Sequence, residues 1–345
     1  MKRIKAAILG ASGYTGSNLV RLLLAHPQVD LVAITSRSNV GTPIAQVFPR
    51  FAGIPGSDLP FIDADMEAVA ASGAEIAFLA LPHGTAAAYA TALLDKGLKV
   101  IDLSADFRIH DPAIYQEFYG ETHPAPELLP EAVFGLPEVY GEAIASARLI
   151  ASPGCYPTSI ILPLLPLLRN KLIDPATIIA NSTSGVSGAG RKADLALLYV
   201  ECNESVRAYG LPKHRHLSEV EQELSLANGA PVVITFIPHL VPVNAGIHTS
   251  TTATLRSSID DITAVMEHTY AQCPFVRLLG PGGCPDTKNV TGTNFIDIGW
   301  HHDPRTGRLL LLSAEDNLGK GAASQAVQSM NLMAGFPETS GLQMV

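Results

Sequence analysis

Apolar positions along the chain follow two rhythms. Through the first 150 residues, short continuous apolar runs alternate with stretches of helical spacing. Ile4 to Leu9 is one such run and predicts a buried parallel strand. Residues 15–25 follow with Leu19, Val20, Leu22, Leu23 and Leu24, a helix that His26-Pro27 stops. Further strands are predicted at Leu31 to Thr35, 75–81, Lys99 to Leu103 and 148–152, with a helix from Thr85 to Lys96. This βαβα alternation predicts a doubly wound, mostly parallel sheet. Residues 109–146 predict only an ordered loop. Beyond residue 170 the strands lengthen and alternate: Thr177 to Ser182, Val232 to Pro238, Thr249 to Leu255, Asn294 to Trp300 and Arg308 to Ser313. Helices are expected over about 192–201, 218–227 and 260–271, which predicts an α+β domain with a mixed or antiparallel sheet.

Length and charge bound the function. At roughly 150 residues per domain, 345 residues predict two domains. We expect residues 1–153 to form a dinucleotide-binding domain and 154–316 a catalytic and oligomerisation domain, with a helix within 317–345 packing back on the first. A net charge of −9 argues against nucleic acid or an anionic membrane as partner. The longest oily stretch, Ile160 to Leu168, holds Pro163 and Pro166 and is far shorter than the ~20 residues of a membrane helix. Cys155, Cys202, Cys273 and Cys284 are too scattered for a disulfide framework or a CxxC metal site, so a reducing cytoplasm and no metal are expected.

Candidate chemistry begins at Gly10-Ala-Ser12-Gly13-Tyr14-Thr15-Gly16, between the first strand and helix. Glycines three apart at such a turn allow tight backbone approach and aim helix amides at a pyrophosphate. A purely structural glycine turn is the alternative. The second strand ends in Thr35-Ser36-Arg37-Ser38, without the acid that usually holds an NAD ribose. A guanidinium flanked by hydroxyls suits a 2′-phosphate instead, which predicts NADP. His83, at the end of another strand, is read as capping the helix that follows it.

A second site stands at Ser152-Pro153-Gly154-Cys155-Tyr156-Pro157, where a strand runs into an apolar helix. Gly154 permits a sharp turn, and a helix N-terminus lowers a thiol pKa. The other three cysteines read as small buried hydrophobes. His214 and His216 precede a helix with Ser218 and Glu221 as an expected capping box. An imidazole there can take a thiol proton and return it. His214 is ranked above His216, with Glu219 as its orienter. Zinc binding through the HxH pair lacks a third ligand at recognisable spacing. His26, His301 and His302 read as surface residues.

GASGYTG and SPGCYPTS together resemble the N-acetyl-gamma-glutamyl-phosphate reductases of the semialdehyde dehydrogenase superfamily. The resemblance continues in order through LSADFR (103–108), FGLPE (134–138), STSGVSGAGR (182–191), HRH (214–216), PHLVPVNAGI (238–247) and DNLGKGAA (316–323). It implies a Rossmann-type doubly wound sheet plus a second α+β domain. It also implies an NADPH-dependent reductase of arginine biosynthesis that turns an acyl phosphate into an aldehyde and phosphate. Cys155 then forms a thioester, and the HRH segment is the acid/base element. Arg108 resembles the superfamily's phosphate-binding arginine. Arg191 is a second candidate, with Ser184 and Gly185 before it presenting groups to an anion, while Asn317 is expected to face the nicotinamide or Cys155. An ion pair of Arg108 with Asp106 is the structural alternative. A homo-oligomer, dimer or tetramer, is expected. The rivals are a reductase for aspartyl phosphate or carrier-bound amino-adipate, and a non-catalytic NADP sensor.

Overall fold

Six parallel strands make the first sheet: β1 (Ile4–Leu9), β2 (Val29–Ile34), β3 (Ile76–Leu79), β4 (Lys99–Asp102), β5 (Val133–Phe134) and β6 (Leu149–Ala151). Their order, β2-β1-β3-β4-β6-β5, reverses beside β1, as in a doubly wound fold. The computed structural model describes residues 2–342. Its chain divides into two units, one running to Pro153 and resuming at Ala322, the other spanning Gly154–Gly321. Central strands are apolar on both faces because helices cover both: Ala6, Ala7, Ile8 and Leu9 are all buried. The stretch 109–146, expected to be a loop, instead holds helices Pro112–Tyr119 and Pro137–Ser146 and the edge strand β5. Proline stands in the first turn of both helices, where its missing N–H costs nothing.

The final helix, Ser324–Ala334, lies in the first unit beside helix Tyr14–Ala25. His26 joins the two and is buried, which corrects its reading as a surface residue. Its Nδ1 accepts the Gln28 N–H at 3.1 Å, and its Nε2 lies 3.0 Å from Asn331 Oδ1. Asn331 Nδ2 in turn holds the carbonyls of Glu338 and Ser340. Burial, outweighing the Asn331 contact, lowers the His26 pKa below its ordinary 6.5. Neutral His26 thus contributes its full stability above about pH 6.5 and loses it as pH falls below that value. Melting temperatures of the parent and His26→Gln between pH 7.5 and 5 test this. The parent should fall more steeply over the acid half, and parallel curves would refute it.

The second unit carries a seven-stranded mixed sheet of β7 (Ile173–Gly185), β8 (Arg207–Ala208), β9 (Thr235–Val241), β10 (Ile247–Leu255), β11 (Val276–Pro281), β12 (Ile296–Asp303) and β13 (Arg308–Glu315). The order is β11-β12-β13-β10-β7-β9-β8. Burial alternates along β10: Ile247, Thr249, Thr251 and Ala253 point inward, while His248, Ser250, Thr252 and Thr254 are half-exposed. The helix expected over 192–201 is broken into a turn at Leu195–Leu197 and a single helical turn at Tyr199–Cys202. Asp194 caps the first of these through the Ala196 N–H, restarting the chain inside the expected helix.

Helix Cys155–Arg169 packs against the inward face of this sheet, with every side chain from Tyr156 to Leu168 buried. Two internal prolines cost about 3 kcal/mol each. Burying seven leucines and isoleucines at about 1.5–3 kcal/mol apiece outweighs that. The carbonyls the prolines leave without helical donors are satisfied from elsewhere. Ser159 O, four residues before Pro163, accepts Ser313 Oγ at 2.7 Å, and Leu162 O, four before Pro166, accepts the Tyr270 hydroxyl.

Candidate active site

In the first unit, Gly10 has φ +82°, and a Cβ there would stand 2.4 Å from Ala80 O. A Cβ on Gly16 would meet Gly10 O at 2.3 Å. These two positions admit only glycine, so the helix start sits close against β1. Gly13 immediately precedes helix Tyr14–Ala25 and has no side-chain cap, leaving the first-turn amides of Tyr14 and Thr15 able to meet an anion. Thr35 Oγ1 accepts the Gly10 N–H at 3.2 Å. Ser36 Oγ donates to Ser12 Oγ at 3.1 Å and receives Asn39 Nδ2 at 3.0 Å, with Ser38 Oγ 3.4 Å away. Arg37 is exposed beside this hydroxyl cluster. An uncapped helix start, bare backbone and a serine–arginine corner fit a dinucleotide carrying a 2′-phosphate.

Past β4, Asp102 and Asp106 are both fully buried. Asp106 accepts the N–H groups of Gly84 and Ala87, at 2.7 and 3.0 Å, and the Tyr115 hydroxyl at 3.2 Å. It therefore performs the capping expected of His83, which is exposed and lies against the Tyr119 ring. Arg108 is buried and donates through Nη2 to Leu103 O at 2.9 Å. Burial, then the nearby Asp106 carboxylate, pushes the Asp102 pKa up to about 7 against the opposing pull of Ser104 and Arg108.

Cys155 is the first residue of its helix and is half-buried. Glu219, fully buried, accepts the Gly154 N–H at 2.9 Å and so fixes the turn that presents the thiol. A Cβ on Gly154 would lie 2.5 Å from His216 Nε2 and 2.8 Å from Glu219 Oε1. The His216 ring thus stands against the backbone beside Cys155. His214 stands behind it, its ring 4.8 Å from that of His216 and edge-on to Tyr156, Tyr209 and Phe236. Its Nδ1 accepts the His216 N–H at 3.2 Å, and burial lowers its pKa to about 4. The expected capping box is absent: Ser218 Oγ donates to Arg215 O, and Glu221 accepts the Ile234 N–H. Helix Leu217–Asn228 begins two residues too early for Ser218 to cap it, His216 standing at the cap position. A capping box does form at Ser258 and Asp261.

Ser184 and Gly185, at the end of β7, lie in a close cluster with Asn317. Gly185 permits the Asn244 backbone to pass, since a Cβ would meet Asn244 O at 2.6 Å. Asn317 is buried; Oδ1 accepts the Gly246 N–H at 2.8 Å and Nδ2 donates to Ser187 Oγ at 3.0 Å. Its amide thus joins two loops of the second unit. Arg191 is exposed on the segment after the cluster. Cys202 is buried as expected, but Cys273 is half-buried and Cys284 is exposed, 3.6 Å from His301 Nε2. His301 is half-buried there and His302 is exposed. Sequence reasoning missed Glu315 and Gly321. A Cβ on Gly321 would stand 2.8 Å from Cys155 Cβ and 3.1 Å from Glu315 Oε1. Their only signal was position: Gly321 lies within DNLGKGAA and Glu315 directly before it. Among the described residues, no group of three His, Cys, Asp or Glu side chains could hold a metal ion.

The chain matches the family "Semialdehyde dehydrogenase, NAD binding domain" over residues 5–147 and "Semialdehyde dehydrogenase, dimerisation domain" over residues 155–317. It is 59% identical to the N-acetyl-gamma-glutamyl-phosphate reductase of Akkermansia muciniphila over 344 residues, covering 99% of each chain. It is 50% identical to that of Moorella thermoacetica, covering 99% of this chain and 98% of the other. A solved structure of aspartate semialdehyde dehydrogenase II from Vibrio cholerae has the same fold. Its TM-score is 0.72 at 18% identity, covering 97% of this chain and 99% of that one.

Proposed function

The chain belongs to the N-acetyl-gamma-glutamyl-phosphate reductases of the semialdehyde dehydrogenase family, and on that premise we propose that Cys155 and His216 carry its chemistry. The reaction is the NADPH-dependent reduction of N-acetyl-γ-glutamyl phosphate to N-acetylglutamate semialdehyde and phosphate, in arginine biosynthesis. The carrying observation is the placement of His216 Nε2 and Glu219 against the Gly154 turn.

Helix-start amides beside Cys155 favour its thiolate, and His216 holds the displaced proton. The thiolate sulfur attacks the acyl carbon; the carbon–oxygen bond to phosphate breaks, and a thioester forms. NADPH, when bound, supplies the hydride that takes the thioester carbonyl to the thiohemiacetal level. His216 surrenders its proton to the phosphate as it departs in the acylation step, and later collapse of the thiohemiacetal oxyanion breaks the carbon–sulfur bond and returns the thiolate. His214, neutral at pH 7 and seated behind His216, orients it; this reverses the ranking drawn from sequence. Gly10, Ser12, Gly13, Tyr14, Thr15 and Gly16 hold the pyrophosphate half of the dinucleotide, and Ser36, Arg37 and Ser38 its 2′-phosphate. Arg108, Arg191, Ser184 and Gly185 serve the substrate's anionic groups, and Asn317 supports the loops beside Cys155.

We place the site within a homo-oligomer, dimer or tetramer, formed through the half-exposed face of the seven-stranded sheet. Supporting this, Thr183, Asn181 and Ile179 of β7 line up across from His248, Ser250 and Thr252 of β10 on that face. We also place the protein in the cytoplasm. Its four cysteines are free, and among the described residues no helix is long and apolar enough to cross a membrane.

The reaction run backwards tests the assignment. N-acetylglutamate semialdehyde with NADP should yield NADPH only when phosphate is present. Phosphate-independent turnover, or a faster rate with aspartate semialdehyde, would refute it. In the same assay Arg37→Ala should raise the KM for NADP by about 10- to 100-fold, the worth of a charge-assisted contact, and leave NAD unaffected. Equal effects on both would remove the role given to Arg37.

A further inference from the structure

We infer that Tyr209 is a positioning residue, whose hydroxyl locks the histidine segment onto the first turn of the nucleophile's helix through Tyr156. The inference rests on the roles proposed above for Cys155 and His216. Tyr209 Oη donates to Tyr156 Oη at 2.9 Å, and Tyr156 directly follows Cys155. Tyr156 is 2% exposed, and its phenol also bonds Ser184 and reaches His239 O at 3.5 Å. Tyr209 is anchored from the other side. Its N–H donates to Pro238 O at 3.1 Å, directly after β8 pairs with β9.

The phenol pair closes a ring of aromatic contacts around the two imidazoles. His214 meets Tyr209 at 5.5 Å, Tyr156 at 5.7 Å and Phe236 at 5.5 Å between centroids, each near perpendicular. His216 meets Tyr156 at 5.8 Å. Edge-to-face packing constrains the tilt of a ring weakly, because such contacts have broad minima. A directional hydroxyl–hydroxyl bond between half-buried Tyr209 and buried Tyr156 removes that freedom, since sliding the segment would break a hydrogen bond at the buried Tyr156 phenol. Residues 209–216 deliver both histidines, and the Tyr209–Tyr156 bond ties this segment's start to the nucleophile's own helix. The bond thereby sets where His216 stands relative to Cys155.

Tyr209→Phe deletes one oxygen and keeps the ring. We expect kcat to fall about 10-fold, near the worth of one hydrogen bond, with the KM for acyl phosphate within about 2-fold of the parent. The pH profile for alkylation of Cys155 by iodoacetamide should move upward by about half a pH unit as the imidazole loses its hold on the thiol proton. Tyr156→Phe also removes the phenol's contacts with Ser184 and His239, so it should change both readouts at least as much, and the double variant should be no worse than Tyr156→Phe alone. An alkylation profile identical to the parent's would overturn the inference, as would additive losses in the double variant. Full activity in Cys155→Ala would instead sink the reading of the site on which it rests.

Discussion

Cys155→Ala should lose at least about 10⁴-fold in turnover while binding NADPH as the parent does. Alanine keeps the Cβ against which Gly321 packs, so the turn should survive and only the sulfur is lost. Without a thiolate there is no thioester, and the acyl phosphate has no route to a reducible carbonyl in this site. Two measurements decide it: NADPH oxidation with the acyl phosphate, and NADPH affinity by fluorescence titration. Residual turnover above about 1% of the parent would show that another group is the nucleophile. Lost NADPH affinity would show that the substitution acts through the fold.

His216→Ala comes next in size, with an expected loss in kcat of about 10²- to 10⁴-fold, the span of general acid–base catalysis. His214→Ala should cost much less, about 10-fold, because its ring supports His216 from behind. The lowered pKa of His214 is the ground for this expected order. A histidine whose pKa lies at about 4 binds a proton weakly at pH 7, whereas a base for a thiol needs a value nearer the working pH. Parallel kcat measurements on the two variants settle the order. A crippled His214→Ala beside a mild His216→Ala would restore the ranking that sequence alone suggests.

What could be read from the sequence was whatever is local. Gly16 announced its turn because its close approach is to Gly10, within one strand–helix unit, although Gly10's own tightest neighbour is the distant Ala80. Gly154 and Cys155 did the same for the turn that starts helix Cys155–Arg169. The long alternating strands of the second unit carried a period of two that survives any tertiary context. What escaped was set by distance along the chain. Nothing near Glu219 reveals that its carboxylate receives an N–H from position 154. His26 looked exposed because its partner, Asn331, lies 305 residues on. The helix over 192–201 failed for another reason. Its apolar spacing was right, but Asp194 offered the backbone a local cap midway, and the remaining turns were too short to hold together.

The two prolines inside helix Cys155–Arg169 have a consequence for orientation. An unbroken helix offers its neighbours a surface of side chains and can rotate or slide by small amounts at little cost. This one exposes two backbone acceptors, at Ser159 and Leu162, and each is gripped by a hydroxyl from a different element, Ser313 on β13 and Tyr270 on a helix. The gaps act like the slots of a keyed shaft, engaged at two bearings. Whatever direction Cys155 faces at the near end is therefore indexed by residues more than a hundred positions away. Evolution cannot repair the ladder by replacing the prolines without also idling the keys.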